Sequence, residues 1–98
     1  MTQPLAPAVV NAQLQQIPGW QLTADGSAIR KTYTFNNFKE AMSFLLRVAF
    51  EAESMNHHPH IENVYRTVIL TLNTHDAGGK VTTKDIDLAK AIEKFNWL

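Results

Sequence analysis

The chain has 98 residues, nine Lys and Arg side chains against nine Asp and Glu side chains, and no cysteine. The balanced charge without runs of one sign argues against charge-driven binding of nucleic acid or an anionic membrane, and the missing thiol excludes disulfides and thiolate chemistry. We therefore expect residues 1–98 to form one domain that self-associates and whose partner is a small molecule or a second copy of the chain. Without a long apolar run or a signal-peptide pattern, we also expect a cytoplasmic protein.

The first third of the chain predicts a helix followed by a hairpin. Residues 1–6 are expected to be disordered, and Pro7 is well placed as a first helical residue. Pro18-Gly19 ends this helix. The turn dipeptide Asp25-Gly26 and the alternating pattern of residues 28–35 then predict two antiparallel strands.

A long helix is predicted in the middle of the chain. Asn37 followed three residues later by Glu40 has the spacing of a capping box, and the helix should run to about Met55. Leu46 and Phe50 make its apolar surface wider than one buried face requires, which predicts a contact with a partner subunit. The expected buried face comprises Phe38, Met42, Leu45, Ala49 and Ala52.

A second hairpin is predicted after the long helix. Pro59 disfavours helical geometry in the residue before it. Residues 61–65 and 68–73 have the composition of strands, and Arg66-Thr67 is the expected turn between them.

The last predicted element is a helix that begins with another capping-box spacing, Thr82 and Asp85. Its expected packed face comprises Ile86, Leu88, Ala89, Ile92 and Phe95. The predicted order is αββαββα. Two hairpins and three helices favour an α+β two-layer fold, with a four-stranded antiparallel sheet and the helices on one face.

Histidines gather where the long helix stops. His57, His58 and His60 lie there, and His75 lies in a second polar cluster. Because histidine exchanges protons near neutral pH, two such clusters at element ends predict a proton-transfer site. In a continuous helix Glu53 would share a face with His57 and could hydrogen-bond its imidazole. An ordinary surface pair near a helix end remains the simpler alternative.

Other interpretations of these polar residues stay open. Histidines and carboxylates are suitable metal donors, although no HExxH spacing occurs in the sequence. His75 beside Asp76 also suits a turn. Asp85 is explained as an acid at a helix N-terminus. Trp20 and Phe35 are expected in the core or on the wall of a pocket for a flat ligand.

Several spaced motifs occur together in an order typical of one protein family. They are Pro18-Gly19-Trp20, Phe35-Asn36-Asn37-Phe38, Glu53-x-x-x-His57-His58-Pro59, Asn63-Val64-Tyr65, Thr74-His75-Asp76-Ala77-Gly78-Gly79 and Asp85-Ile86-Asp87-Leu88-Ala89. The chain thereby resembles the pterin-4a-carbinolamine dehydratases from residue 17 onward. The resemblance implies an αββαββα fold and homodimers or homotetramers built through edge strands and the long helix.

The resemblance also implies a reaction, the removal of water from 4a-hydroxytetrahydropterin to give quinonoid dihydropterin. No metal or redox cofactor takes part, and the product is reduced elsewhere in tetrahydrobiopterin recycling for aromatic amino acid hydroxylases. Members of this fold also serve as protein-binding modules, either as a transcription-factor dimerisation partner or as an assembly factor for a carbon-fixing enzyme. A non-catalytic binding module is therefore the alternative function.

The same resemblance implies roles for individual residues. His58 and His75 would form the proton-transfer pair, and His57 would bind the pterin or assist as acid or base. Glu53 would orient His57, and Asp85 would tie the loop after His75 to the last helix. The remaining implied contact and support residues are Asn56, Pro59, Asn73, Thr74, Asp76 and Trp20. His60 stands where the family more often has an acidic residue.

Overall fold

The computed structural model describes residues 3–94, in which three helices and one four-stranded antiparallel sheet make up the fold. In chain order the elements are α1 (Pro7–Leu14), β1 (Gln21–Leu22), β2 (Ile29–Thr34), α2 (Phe38–Met55), β3 (His60–Val64), β4 (Thr67–Leu72), a 3₁₀ turn (His75–Ala77) and α3 (Thr83–Glu93). The predicted order αββαββα and the α+β class are confirmed over this range. None of the helices described there combines the length and apolarity needed to cross a membrane.

The sheet has the strand order β1-β2-β4-β3, which leaves β3 at one edge. The turn between β3 and β4 lies one residue earlier than predicted, because Val64 pairs directly with Thr67. Tyr65 adopts a left-handed backbone conformation there, with φ of 53°. The Asn63 side-chain amide stabilises the turn by donating to the carbonyl oxygens of Tyr65 and Thr67, at 3.1 and 3.0 Å.

Helix α2 begins as predicted, because the Asn37 side chain accepts a hydrogen bond from the Glu40 backbone N–H at 2.9 Å. Its predicted buried face is largely wrong. The inward row is Ala41, Phe44, Val48 and Ala52. Phe44 packs on the sheet through the rings of Tyr33 and Phe35, with ring centroids 4.6 and 5.0 Å away.

A row of apolar side chains is left on the outer side of α2. Its members and their exposed fractions are Phe38 48%, Met42 36%, Leu46 59% and Phe50 64%. They are spaced four residues apart and therefore follow one side of the helix. We call them the outer apolar row.

Helix α3 is capped as the sequence predicts. The Thr82 side chain accepts from the Lys84 backbone N–H, and the Asp85 carboxylate accepts from the Thr82 backbone N–H at 2.8 Å. Phe95, predicted for the packed face of this helix, lies outside the described residues. Of residues 1–6, which were predicted to be disordered, residues 1–2 lie outside the described range. Leu5 packs on the core and donates its N–H to the Val81 carbonyl at 2.8 Å.

A polar cluster closes the other end of α3. The Glu93 carboxylate accepts hydrogen bonds from Tyr33 Oη at 2.5 Å, Lys31 Nζ at 2.8 Å and Trp20 Nε1 at 3.2 Å. Burial raises the pKa of Glu93, but these donors and the Lys31 charge outweigh burial and hold that pKa below its ordinary value. Burial, assisted by the Glu93 carboxylate, raises the pKa of Tyr33.

Candidate functional site

The end of helix α2 sets the direction of the histidines. Asn56 follows the last helical residue in the left-handed conformation, with φ of 51° and ψ of 42°, which asparagine tolerates better than most residues. The His57 backbone N–H then bonds back to the Ala52 carbonyl at 3.0 Å. This reversal turns the His57 side chain into the protein, where 10% of it is exposed.

His57 is held by a carboxylate from the start of α3. Its Nε2 lies 2.5 Å from Oδ1 of Asp85, which is fully buried. A carboxylate accepts hydrogen bonds, so the proton of this contact belongs to Nε2 of His57. The contact therefore fixes the position of His57 and keeps a proton on its Nε2.

The other carboxylate oxygen of Asp85 is also satisfied. Oδ2 accepts from Thr74 Oγ1 at 2.9 Å and from the Thr82 backbone N–H at 2.8 Å. Because the Thr74 hydroxyl donates to Asp85, the Thr82 hydroxyl donates to Thr74 Oγ1, at 2.6 Å. We call His57, Thr74, Thr82 and Asp85 the buried network. It joins the end of α2, the end of β4 and the start of α3.

Glu53 contacts a different histidine from the one expected. Its carboxylate accepts from His58 Nε2 at 2.9 Å, and the two side chains are 81% and 60% exposed. The prediction that Glu53 orients His57 is wrong, because α2 ends at Met55 and the helical spacing does not extend to residue 57. Asp85 orients His57 instead.

The second histidine cluster lies just after β4. The Thr74 backbone N–H bonds to the Lys80 carbonyl at 2.8 Å, and the Thr74 carbonyl accepts from Ala77 and Gly79. These bonds close a tight loop on which His75 and Asp76 are exposed. Asp85 ties this loop to α3 through the Thr74 hydroxyl.

The two clusters meet at one open cavity of about 290 Å³. Its described lining is Asn56, His57, His58, Asn73, Thr74, His75, Asp76 and Lys84. All of these except Lys84 were predicted from the sequence. One signal in the sequence could have indicated Lys84: it lies in the first turn of a helix, where the helix dipole disfavours a cation.

Three residues considered with the site lie elsewhere. Trp20 is buried beside Glu93, away from the histidines, and Pro59 is absent from the described lining of the cavity. His60 points outward from β3, 3.6 Å from Glu62. Within residues 3–94 no group of three or more His, Cys, Asp or Glu side chains is arranged to hold a metal ion.

A larger open cavity of about 560 Å³ lies along β1 and β2. Its described lining includes Arg30 and Lys31 but no histidine or carboxylate. Lys31 is already engaged by Glu93. Of these two cavities, only the smaller one is lined by imidazoles, which are suited to acid–base chemistry.

The chain matches one protein family over nearly its full length. Residues 3–95 match the family model described as pterin 4 alpha carbinolamine dehydratase. A protein of Opitutus terrae named "Putative pterin-4-alpha-carbinolamine dehydratase" is 51% identical over 94 residues, covering 96% of this chain and 95% of the relative. A protein of the same name from Rhizobium johnstonii is 54% identical over 85 residues, covering 87% of this chain and 83% of the relative.

A solved structure shares the fold. The crystal structure described as a transcriptional coactivator/pterin dehydratase from Brucella melitensis superposes with a TM-score of 0.87 at 33% identity. The match covers 92% of this chain and 95% of that one.

Proposed function

The chain belongs to the pterin 4 alpha carbinolamine dehydratase family, and from that premise we propose that it dehydrates 4a-hydroxytetrahydropterin to quinonoid dihydropterin. One observation carries the proposal: a single cavity is lined by His57 and His58 from the end of α2 and by His75 from the loop after β4. Imidazoles are suited to both halves of such a reaction because they give and take protons near neutral pH.

The reaction requires two proton transfers at adjacent atoms of a flat ring. One group protonates the hydroxyl on C4a, which leaves as water with the electrons of the C–O bond. A second group removes the proton from N5, and the N5 electrons form the C4a=N5 double bond. The step releases one water and changes no oxidation state, so the chemistry calls for acid–base groups and needs no metal or redox cofactor.

His58 and His75 are the proposed proton-transfer pair. Both are exposed at the cavity, where a substrate can reach them. His57 is buried and held by Asp85, which suits a residue that positions the pterin or assists the transfer. Asn56, Asn73 and Asp76 supply amide and carboxylate groups for the polar edge of the pterin, and Glu53 holds His58.

Self-association is part of the proposal. The outer apolar row on α2 exposes two phenylalanines, a leucine and a methionine along one side of the helix. Such a contiguous apolar surface typically marks an interface. Within the described sheet β3 is an edge strand, and an edge offers backbone N–H and C=O groups for pairing with another strand. Homodimers or homotetramers built on these two surfaces, in the cytoplasm and functionally linked to an aromatic amino acid hydroxylase, complete the proposed setting.

A non-catalytic protein-binding module is the second candidate. The name of the Brucella melitensis structure includes a coactivator, and the outer apolar row suits a partner helix as well as a second copy. The histidine cavity favours the enzyme, because binding through α2 does not require three imidazoles elsewhere. The two roles can also coexist on one chain.

The experiment that tests the proposal follows 4a-hydroxytetrahydropterin, generated in situ by a hydroxylase or by chemical oxidation. The purified protein should accelerate the appearance of quinonoid dihydropterin above the spontaneous rate. Heat-unfolded protein is the control. A folded protein that leaves the spontaneous rate unchanged would support the binding module instead.

A further inference from the structure

Lys84 is the cation on the wall of the histidine cavity. Among the described residues that line this cavity, it alone carries a fixed positive charge. It lies in the first turn of α3, and its backbone N–H donates to Thr82 Oγ1 at 3.2 Å. The backbone of Lys84 is thereby anchored to the buried network while its side chain is exposed.

The ammonium group has no structural task in the described fold. Within residues 3–94, the ion pairs involve other side chains, and Lys84 takes part in none of them. Asp76 lines the same cavity without forming an ion pair with it. A cation in the first turn of a helix also opposes the helix dipole. Neither helix stability nor pairing therefore explains a lysine here.

The proposed reaction limits where this ammonium can act. If His58 and His75 serve C4a and N5 of the pterin, the next ring atom is C6, which carries the substituent that differs among natural pterins. An ammonium presents three hydrogen-bond donors and no acceptor, so it favours oxygen-rich or anionic groups. With the ring so placed, a group at C6 would lie in or beside this small cavity, which Lys84 also lines.

We propose that Lys84 is a specificity-determining residue that binds an oxygen-rich substituent at C6 of the pterin, either polyhydroxylated or phosphorylated. The inference rests on the proposed function and adds the class of pterin. A contact between Lys84 and the ring itself, such as the C4 carbonyl, is the competing possibility. It differs because it would affect all pterins equally.

Equilibrium binding of stable oxidised pterins tests this without turnover. The unmodified protein and Lys84→Met are titrated with 6-methylpterin, 6-(dihydroxypropyl)pterin and a pterin with a phosphorylated side chain, using pterin fluorescence. We expect Lys84→Met to lower the affinity for the phosphorylated ligand by about tenfold or more and the affinity for the dihydroxypropyl ligand by roughly threefold to tenfold. The dissociation constant of 6-methylpterin should not change, and Lys84→Arg should retain the preference.

Lys80→Met is the matched control, since Lys80 is an exposed lysine of the preceding loop that is absent from the described cavity lining. If Lys84→Met loses affinity for both oxygen-rich pterins, or for the phosphorylated pterin alone, the inference is supported and the substituent is identified. The inference is overturned if Lys84→Met loses as much affinity for 6-methylpterin as for the other two ligands, or if it loses affinity for none of them. It is also overturned if Lys80→Met loses as much affinity as Lys84→Met. Turnover of the unmodified protein is measured separately, so a failure of dehydration is distinguishable from a failure of this binding preference.

Discussion

The imidazole Nε2 of His57 lies 2.5 Å from the Asp85 carboxylate, although 28 residues separate the two in the sequence. The contact is buried and joins the end of α2 to the first turn of α3. Asp85 thus acts at once as the capping acid of α3 and as the group that holds a histidine of the cavity. Helix capping and site geometry depend on one side chain.

Asp85→Asn should switch the tautomer of His57. The amide oxygen must still accept from Thr74 and Thr82, which turns the amide NH₂ toward His57 and requires an unprotonated Nε2. We expect ¹⁵N NMR to show Nε2–H in the unmodified protein and Nδ1–H in the variant. The free energy of unfolding should fall by roughly 1–3 kcal/mol. The kcat should fall by about tenfold to a hundredfold, because His57 is no longer held in place. An unchanged tautomer would contradict this assignment.

Glu53→Gln should behave differently, because the Glu53–His58 pair is exposed to solvent. We expect its free energy of unfolding to change by less than about 1 kcal/mol, while dehydration slows measurably through His58. Urea unfolding of both variants, in parallel with the dehydration assay, makes the comparison. A larger loss of stability in Glu53→Gln than in Asp85→Asn would reverse the roles assigned to these carboxylates.

Glu93 should make stability depend on pH. Its pKa in the folded protein is below the ordinary value of 4.5, so its contribution is complete above that value and is lost as the pH falls through the lowered folded pKa. Glu93→Gln should lower the free energy of unfolding at pH 7 by roughly 1–3 kcal/mol, with a smaller difference near pH 3. Thermal unfolding from pH 3 to 7 measures this difference between the variant and the unmodified protein. Glu62→Gln, a substitution at an exposed position, is the control. A difference that does not shrink on acidification would show that Glu93 contributes otherwise.

Leu46→Glu should dissociate the proposed oligomer, because it places a charge in the centre of the outer apolar row. Leu46 is 59% exposed, so the substitution should leave the isolated fold stable. Light scattering coupled to size-exclusion chromatography gives the mass of both proteins. Val9→Glu, at a 45% exposed position of α1, is the matched control and should keep the oligomer. A monomeric unmodified protein would remove the basis of this prediction.

Local signals in the sequence were sufficient to predict the order of the elements. Asn37 and Thr82 cap their helices through neighbouring backbone groups, and Pro7 begins α1 as expected. The buried face of α2 could not be chosen in this way, because both Phe44 and Phe50 lie on apolar rows. Only the sheet decides between them, since Phe44 packs on Tyr33 and Phe35.

The periodicity of the sequence alone could not predict the candidate site. Residue types predicted a proton-transfer site at two histidine clusters, and the family resemblance paired His75 with His58. The partner of His57 was missed for a geometric reason: Asn56 leaves the helix in a left-handed conformation, so the four-residue spacing from Glu53 no longer applies. The true partner, Asp85, is distant in sequence, and its expected roles were to cap the last helix and to tie the loop after His75 to it, with no expected contact to His57.

Catalysis by the exposed histidines is tested most directly by the dehydration rates of the unmodified protein, His58→Ala and His75→Ala under identical conditions. Each variant should lose roughly a hundredfold or more of the rate above background, as expected when an acid–base group is removed. Both side chains are exposed, so the thermal unfolding temperature should remain close to that of the unmodified protein. Folded variants with unchanged turnover would contradict the assignment of these two imidazoles.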